Sequence, residues 1–477
     1  KLERVMYQFL ETFPKSYKLF LKTIPPWFNF KLKIIQTIKK KLKYDKEIIF
    51  IKHHLSHAAS FFQSPFEMAA IVTSDGVGEW TTTAYGYGEN IKINLLEEIK
   101  FPSSLGLFYS TITAYLGFRV NNSEYKVMGL ASYGNQNKKT NKYYRLLKKI
   151  IKIKPDGSYN LDRSYFEFHF REKMFSEKLN KLLGNSKRLK NQRIRTKHKD
   201  IAAALQIIYE EVLFKILNHV QKKTNQKNLV LSGGTALNSV ANGKIIKNTK
   251  FENIWIAPDP GDGGASMGVT EYIYHEILNK KRKTKFDDPY LGPEFSNELI
   301  QTILNENDLV YNEYHDKKKI IDEVSTLLKK NFVVGWFQGR MEWGPRALGS
   351  RSILANPLNP KAKDLINSKI KFRESFRPFA PVVCKEDAMK YFNCDKPLLD
   401  PTQFMLMVYP VRKKWIKKIK SVVHIDESVR LQVVTRNQNK LFYELIKQFG
   451  EKTGVPMLIN TSFNVSGEPI VCTPNDA

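Results

Sequence analysis

The spacing of apolar and polar positions changes along this chain, and the changes mark out its elements. From Lys1 to about Lys43 the apolar residues recur at amphipathic helical spacing, with an interruption at Pro25–Trp27. After Glu47 the period shortens. Ile48–Ile51, Ala69–Thr73, Thr82–Gly86 and Ile91–Leu95 read as successive short strands, with Asp75-Gly76 as a turn signal among them. Helical spacing returns in Leu105–Leu116 and Ile201–Lys222. Leu229–Leu231 and Ile254–Ile256 then each run from a strand into a glycine-bearing loop and a helix, a unit that belongs to α/β layers. Lys280–Pro293 is basic and then Asp-Pro and Gly-Pro rich, which predicts a linker, and a helix at Lys317–Lys330 and a strand at Phe332–Phe337 open a second domain. Residues 1–289 and 290–477 are therefore the expected domains.

Charge changes this picture more than composition does. At 477 residues with 42% hydrophobic positions the chain can bury cores in two to four domains, and disorder is excluded for most of it. No apolar run approaches the ~18 residues of a membrane helix, so a soluble cytosolic protein is expected. Cys384, Cys394 and Cys472 have no paired short spacing, which excludes a disulfide framework and a Cys-rich zinc site. The net charge is +30, a value that suggests nucleic acid or phosphorylated partners. Its distribution argues against the first. His53–Asn90, Leu229–Gly243 and Trp255–Leu278 contain no Lys or Arg, and the excess collects in Lys31–Lys46, Lys138–Lys154, Lys187–Lys199, Lys280–Lys285 and Arg412–Lys420, where lysines mark solvated faces.

The cation-free stretches carry candidate metal chemistry. His53 and His57 in His53-His54-Leu55-Ser56-His57 are four apart and share one helix face, where both can reach one ion, while His54 points elsewhere. Two half-buried structural histidines would give the same spacing. Further ligands would be carboxylates, and Asp75 and Asp262 are the candidates, although an Asp beside glycines also serves as a turn former. Three small-residue loops, Ser74–Glu79 with Gly76 and Gly78, Ser232–Thr235 with Gly233 and Gly234, and Pro260–Gly264, can bring backbone amides to a phosphate. The second domain is built on the opposite chemistry. Gly339–Ser352 places Arg340, Arg346 and Arg351 among glycines, Lys369, Lys371, Arg373 and Arg377 follow, and arginine forks suit phosphate oxygens. Asn460-Thr461-Ser462-Phe463-Asn464 is a polar run suited to a nucleotide or to an ordinary turn, and His424-Ile425-Asp426 with Arg430 and Gln432 is a further polar set at strand spacing.

Taken in order, His53–His57, Asp75–Thr83, Ser104–Tyr109, Asn122–Tyr133, Ser232–Asn238, Pro260–Gly268, Gly335–Pro357, Lys369–Pro381 and Asn460–Glu468 resemble the NodU/CmcH family of O-carbamoyltransferases, the TobZ-like group. The resemblance covers nearly the whole chain. It implies an actin-like (ASKHA) N-terminal domain followed by a YrdC-like C-terminal domain, an α/β and α+β architecture. It implies that carbamoyl phosphate and ATP, the latter with Mg2+, form carbamoyl adenylate at the YrdC-like domain. The carbamoyl group then passes to a hydroxyl of a sugar or secondary metabolite at a metal site of the first domain. By resemblance Fe(II) is the expected ion, held by His53, His57 and Asp262, with Asp75 the lesser candidate, and His57 would orient the donor. Arg346, Arg351 and Lys369 are the other catalytic assignments, with Arg340 and Arg373, and Asn460, Thr461, Ser462 and Asn464 near the nucleotide. In the first domain Asp75, Gly76, Gly78, Gly233, Gly234, Asn238, Glu124 and Lys126 are the nucleotide-side assignments. The implied partners are small molecules, with no membrane and no nucleic acid, and a homodimer is an expectation.

The chain departs from the family pattern in three places. A first strand and phosphate loop are expected to precede Lys1, a final helix is expected to follow Ala477, and His424–Arg430 reads His-Ile-Asp-Glu-Ser-Val-Arg where family members read His-x-Asp-Gly-Thr-Ala-Arg. Two alternatives follow from the modules and the charge. A hydrogenase-maturation role would require Cys-rich zinc fingers that three scattered cysteines cannot build. A degenerate enzyme fold acting as a basic nucleic-acid-binding protein would show steeply salt-dependent binding.

Overall fold

A computed structural model describes residues 2–185, 187–282, 286, 288–395 and 398–477. The expected linker, Lys280–Pro293, and its basic cluster lie partly outside the described residues.

The first sheet begins as a meander, β1 (Met68–Ser74), β2 (Thr81–Glu89) and β3 (Lys92–Lys100), paired antiparallel. A small separate hairpin of β4 (Ile151–Ile153) and β5 (Tyr159–Leu161) follows. β6 (Asn228–Ser232) and β7 (Asn253–Trp255) then extend the meander in parallel, giving the order β3-β2-β1-β6-β7. The sequence explains the order. β1 carries no charge and is buried from Ala69 to Ser74, as a central strand covered on both faces must be, whereas β3 exposes its lysines and glutamates along an open edge. The long helix Thr196–Thr224 packs against β1 and β2.

The second sheet has the order β11-β12-β10-β13-β9-β8, from β8 (Val334–Phe337), β9 (Arg351–Ala355), β10 (Ala380–Cys384), β11 (Met407–Pro410), β12 (Ser428–Val434) and β13 (Met457–Ser462). Only the β10–β12 pair is parallel among these. Helices Lys317–Lys329 and Lys440–Thr453 pack together over it, burying Leu328, Phe442, Leu445 and Phe449. The two domains share one apolar core. Trp255 meets Phe404 edge-on, and Asn242 Nδ2 donates to the Leu406 carbonyl at 3.0 Å.

Two sequence expectations shift. Ile48–Ile51 forms no strand and joins neither sheet. Pro25 and Pro26 end the helix Tyr17–Pro26 rather than breaking the chain's course, and a π-turn over Trp27–Lys31 follows, since prolines remove two amides from the ladder.

Candidate functional site

Because β1, β6 and β7 run parallel, their C-terminal ends lie side by side, where open α/β sheets place ligands. Asp75 follows β1, Gly233 and Gly234 follow β6, and the Asp259–Gly264 loop follows β7. Two helices close over these ends. His53–Ala58 carries both histidines on one face, and Asp262–Tyr272 begins at Asp262. They cross so closely that a Cβ at Gly268 would stand 1.9 Å from the Ser56 carbonyl oxygen, so only glycine allows the approach.

The crossing assembles four ligand atoms. His53 Nε2 lies 3.0 Å from Asp75 Oδ2 and 3.1 Å from His57 Nε2. His57 Nε2 is 3.2 Å from Asp75 Oδ2, and Asp262 Oδ1 is 3.6 Å from His53 Nε2 and 3.5 Å from that of His57. Ligands ~2.1 Å from one ion stand ~3.0–3.4 Å apart at right or tetrahedral angles, so the separations match a shared coordination shell. Burial lowers the His57 pKa, but hydrogen bonds to Asp262 and Asp75 outweigh it and raise it to about 9. Burial works against the Asp75 carboxylate, yet His53, His57 and the Gly76 amide hold its pKa well below the usual range. His54 turns away: it bonds Thr73 Oγ1 and the Thr81 carbonyl, and burial pushes its pKa down to about 4, a neutral structural ring. Asp75 thus stands at the centre of the set beside Asp262, whose side chain is 78% exposed and forms the open side.

A second site lies between the domains. A cavity of about 1320 Å³ is lined from the first domain by Phe118, Tyr125, Lys126, Arg188 and Lys190, and from the second by Arg346, Lys371, Arg373, Arg377, Arg430, Asn460, Thr461, Ser462 and Asn464. Single-ligand pockets measure ~300–1,000 Å³, so the space admits more than one small molecule. Its cations are poorly satisfied. Arg346 Nε, Arg373 Nη2 and Arg430 Nε are buried with no hydrogen-bond partner among the described residues. Burial, and then Arg346, Arg373 and Arg377, push the Arg430 pKa well below its ordinary value. Burial and the neighbouring Arg373 and Arg377 bring Lys371 down to about 7, while its Nζ donates to the Asn464 carbonyl and Oδ1 at 2.8 and 2.7 Å. Such a concentration of buried cations suits an anion.

The structure sorts the sequence candidates. Arg346, Arg373, Asn460, Thr461, Ser462, Asn464 and Lys126 line the cleft; Arg340, Arg351, Lys369, Glu124 and Asn238 do not. Arg351 is fully buried, donating to the carbonyls of Gln338, Gly339, Ser350 and Pro293 and stacked 3.5 Å over Phe337, so its guanidinium is committed to the fold. Lys369 is exposed, and its place in the cleft is taken by Lys371, two residues on. Arg340 reaches the Leu291 carbonyl. Glu124 accepts from Ser110 Oγ and the amides of Asn121 and Asn122, and Asn238 pairs with Gln206 and caps Ala241. Gly76 and Gly78 follow Asp75 in its own loop, and Gly233 and Gly234 flank it from β6, so a nucleotide there would meet the histidine and aspartate centre directly. Lys371, Arg377 and Arg430 were visible as cations in the sequence, but nothing in their spacing separated them from Lys369 and Arg351. Glu427, where the family pattern has glycine, adopts φ +61°, and its amide donates to the His424 carbonyl at 3.0 Å.

The domains are tied across the cleft. Lys126 Nζ is 2.8 Å from Glu374 Oε1, Ser132 Oγ is 3.2 Å from Asp426 Oδ2, and Arg377 lies 4.8 Å over the Tyr125 ring. The two sites also approach each other at the Arg346 loop: a Cβ at Gly344, φ +113°, would stand 2.9 Å from the Pro258 carbonyl oxygen, and one at Gly264 3.6 Å from the Trp343 ring.

Residues 8–270 match the family described as carbamoyltransferase N-terminus, and residues 325–477 the one described as carbamoyltransferase C-terminus. The uncharacterized protein sll1178 of Synechocystis is 40% identical over all of this chain and 82% of its own length. Nodulation protein NolNO of Sinorhizobium fredii is 35% identical over 90% of this chain, which spans 61% of that protein, and nodulation protein NolO of Bradyrhizobium diazoefficiens is 34% identical over 90% of this chain and 75% of its own length. No helix among the described residues is long and apolar enough to cross a membrane.

Proposed function

The chain belongs to the carbamoyltransferase family and is a carbamoyltransferase, and from that premise we propose that the interdomain cleft activates the carbamoyl donor while the histidine and aspartate centre serves its transfer to a hydroxyl. The observation that carries the reading is the set of four arginines, Arg346, Arg373, Arg377 and Arg430, lining a cleft large enough for two phosphorylated molecules. In this reading carbamoyl phosphate and ATP bind there together. The phosphate of the donor is released to water, the carbamate oxygen attacks the α-phosphorus of ATP, and pyrophosphate leaves, giving the mixed anhydride of carbamate and AMP. Arg346, Arg373, Arg377 and Arg430 neutralise the phosphoryl oxygens, and Lys371 follows the charge developing on the leaving group. The strand order β3-β2-β1-β6-β7 supports an actin-like first domain, and the reading takes the second as YrdC-like.

The acceptor step falls to the first domain. His53, His57, Asp75 and Asp262 would hold a divalent ion, and two imidazoles with carboxylates favour Fe(II) among the candidates. When bound, such an ion supplies Lewis-acid polarisation of the carbamoyl carbonyl. The chain's own groups do the rest. The carboxylates of Asp75 and Asp262 orient both imidazoles, and Asp262, on the open side, faces an incoming sugar or metabolite hydroxyl. Full-length protein given carbamoyl phosphate, ATP, Mg2+ and Fe(II) is expected to release pyrophosphate and, with an acceptor, AMP. Absence of pyrophosphate in the native protein overturns the proposal.

A further inference from the structure

The segment between β8 and β9 delivers Arg346 to the cleft without helix or strand to shape it, so side chains must satisfy its backbone. Glu342 takes the largest share. It is 3% exposed, and its Oε1 accepts from the amides of Leu348, Ser350 and Arg351 at 2.5, 3.2 and 3.3 Å. Other side chains, Asn460 and Gln432 buried and Gln338 half-buried, take the carbonyls. Asn460 Nδ2 donates to Ala347 at 3.1 Å, Gln432 Nε2 to Leu348 at 2.8 Å and Gln338 Nε2 to Gly349 at 2.9 Å. Arg351 collects the carbonyls at the two feet of the loop, those of Gln338 and Ser350. Glutamate and arginine thus clasp opposite polarities of the same loop. Between them Arg346 lines the cavity, with its Nε buried and without a hydrogen-bond partner among the described residues.

We propose that Glu342 is a positioning residue for the donor site: by gathering three amides just beyond Arg346 it fixes where that guanidinium meets the phosphoryl group. The inference rests on the reading of the cleft as the carbamoyl phosphate site. A neutral amide in its place is a weaker acceptor for three N–H groups than a carboxylate, so the loop should loosen while the fold persists.

The test is a double-mutant cycle in full-length protein, following pyrophosphate release and thermal stability. Arg346→Ala should raise the KM for carbamoyl phosphate. Glu342→Gln should raise it by about tenfold with a smaller change in kcat, Glu342→Asp, which keeps the charge, should fall between Gln and wild type, and Glu342→Gln/Arg346→Ala should be no worse than Arg346→Ala. Additive losses in the double variant, or Glu342 variants of normal KM beside an impaired Arg346→Ala, overturn the inference and leave the reading of the cleft standing. A normal KM in Arg346→Ala overturns both. Should Glu342→Gln fail to fold, Glu342→Asp alone decides: an unchanged KM overturns the proposal.

Discussion

In the first domain His53, His57, Asp75 and Asp262 satisfy one another, whereas in the second Arg346, Arg373, Arg377 and Arg430 repel one another across a shared cavity. The first set balances imidazoles against carboxylates within 3.6 Å, so it is held together before any ion arrives. The second has burial and like charge acting in the same direction, and Arg373 is pushed down to about 9 by burial first and Arg377 next. The difference teaches where binding energy is stored. A self-paired site is rigid and selects by geometry; a strained cationic site releases its repulsion when an anion enters. The fold carries that strain through clasped loops such as 338–350.

If that contrast is right, the largest effect should come from the cleft. Arg346→Ala removes one partner of a buried charged contact, which costs about 2–5 kcal/mol, so carbamoyl phosphate affinity should fall roughly 30-fold or more. Initial-rate kinetics of pyrophosphate release measure it. At the other centre, His57→Ala removes one of four donors, and Fe(II) or Zn(II) affinity, read by metal analysis after dialysis, should drop by at least ~10–100-fold, the range that loss of a ligand's mere supporting contact already produces. Adenylate formation in the cleft should survive in that variant, and its loss would break the division of labour.

A third measurement sharpens the electrostatic side. Lys371 has its folded pKa lowered to about 7, so it is charged below that pH and neutral above it. Anion affinity should therefore weaken as pH rises through about 7, by up to about tenfold per unit. Lys371→Met should remove that component, leaving only the titration of the ligand itself. The same shift implies that stability gains from this group as pH rises from about 7 toward the ordinary lysine value, because there the unfolded chain binds the extra proton. The smallest effect is expected at the domain tie: Lys126→Met breaks a half-buried pair worth about 0.5–1 kcal/mol, and a change of a few-fold in apparent carbamoyl phosphate affinity would show that closing the domains and filling the cleft are coupled. No change would make the tie purely structural.

Much of the fold was legible. The uncharged run of β1 and the glycine loops after β1, β6 and β7 announced a layered α/β sheet, and His53 and His57 announced a shared face through their spacing of four. The length of β3 was underestimated because its Lys and Glu positions hide the apolar alternation of an edge strand. Asn460, Thr461 and Ser462, a polar run suited to a nucleotide or to an ordinary turn, belong to β13 itself, where pairing with β9 holds polar residues in extended form.

The cations show where sequence stops. Arg346 and Arg351 are five residues apart in one glycine-punctuated loop, yet one enters the cleft and the other is consumed by backbone carbonyls. Lys369 and Lys371 are two apart, yet only the second is buried against Asn464. The sequence by itself determined the family, the strand and helix periods, and the residue types from which each centre is made. Tertiary structure alone decided which cations line the interdomain cavity, that Asp75 stands between both histidines, and that Glu342 gathers the amides of the Arg346 loop. Periodicity is a property of neighbours along the chain, but the face that stays open depends on which distant strand, loop or domain covers the rest.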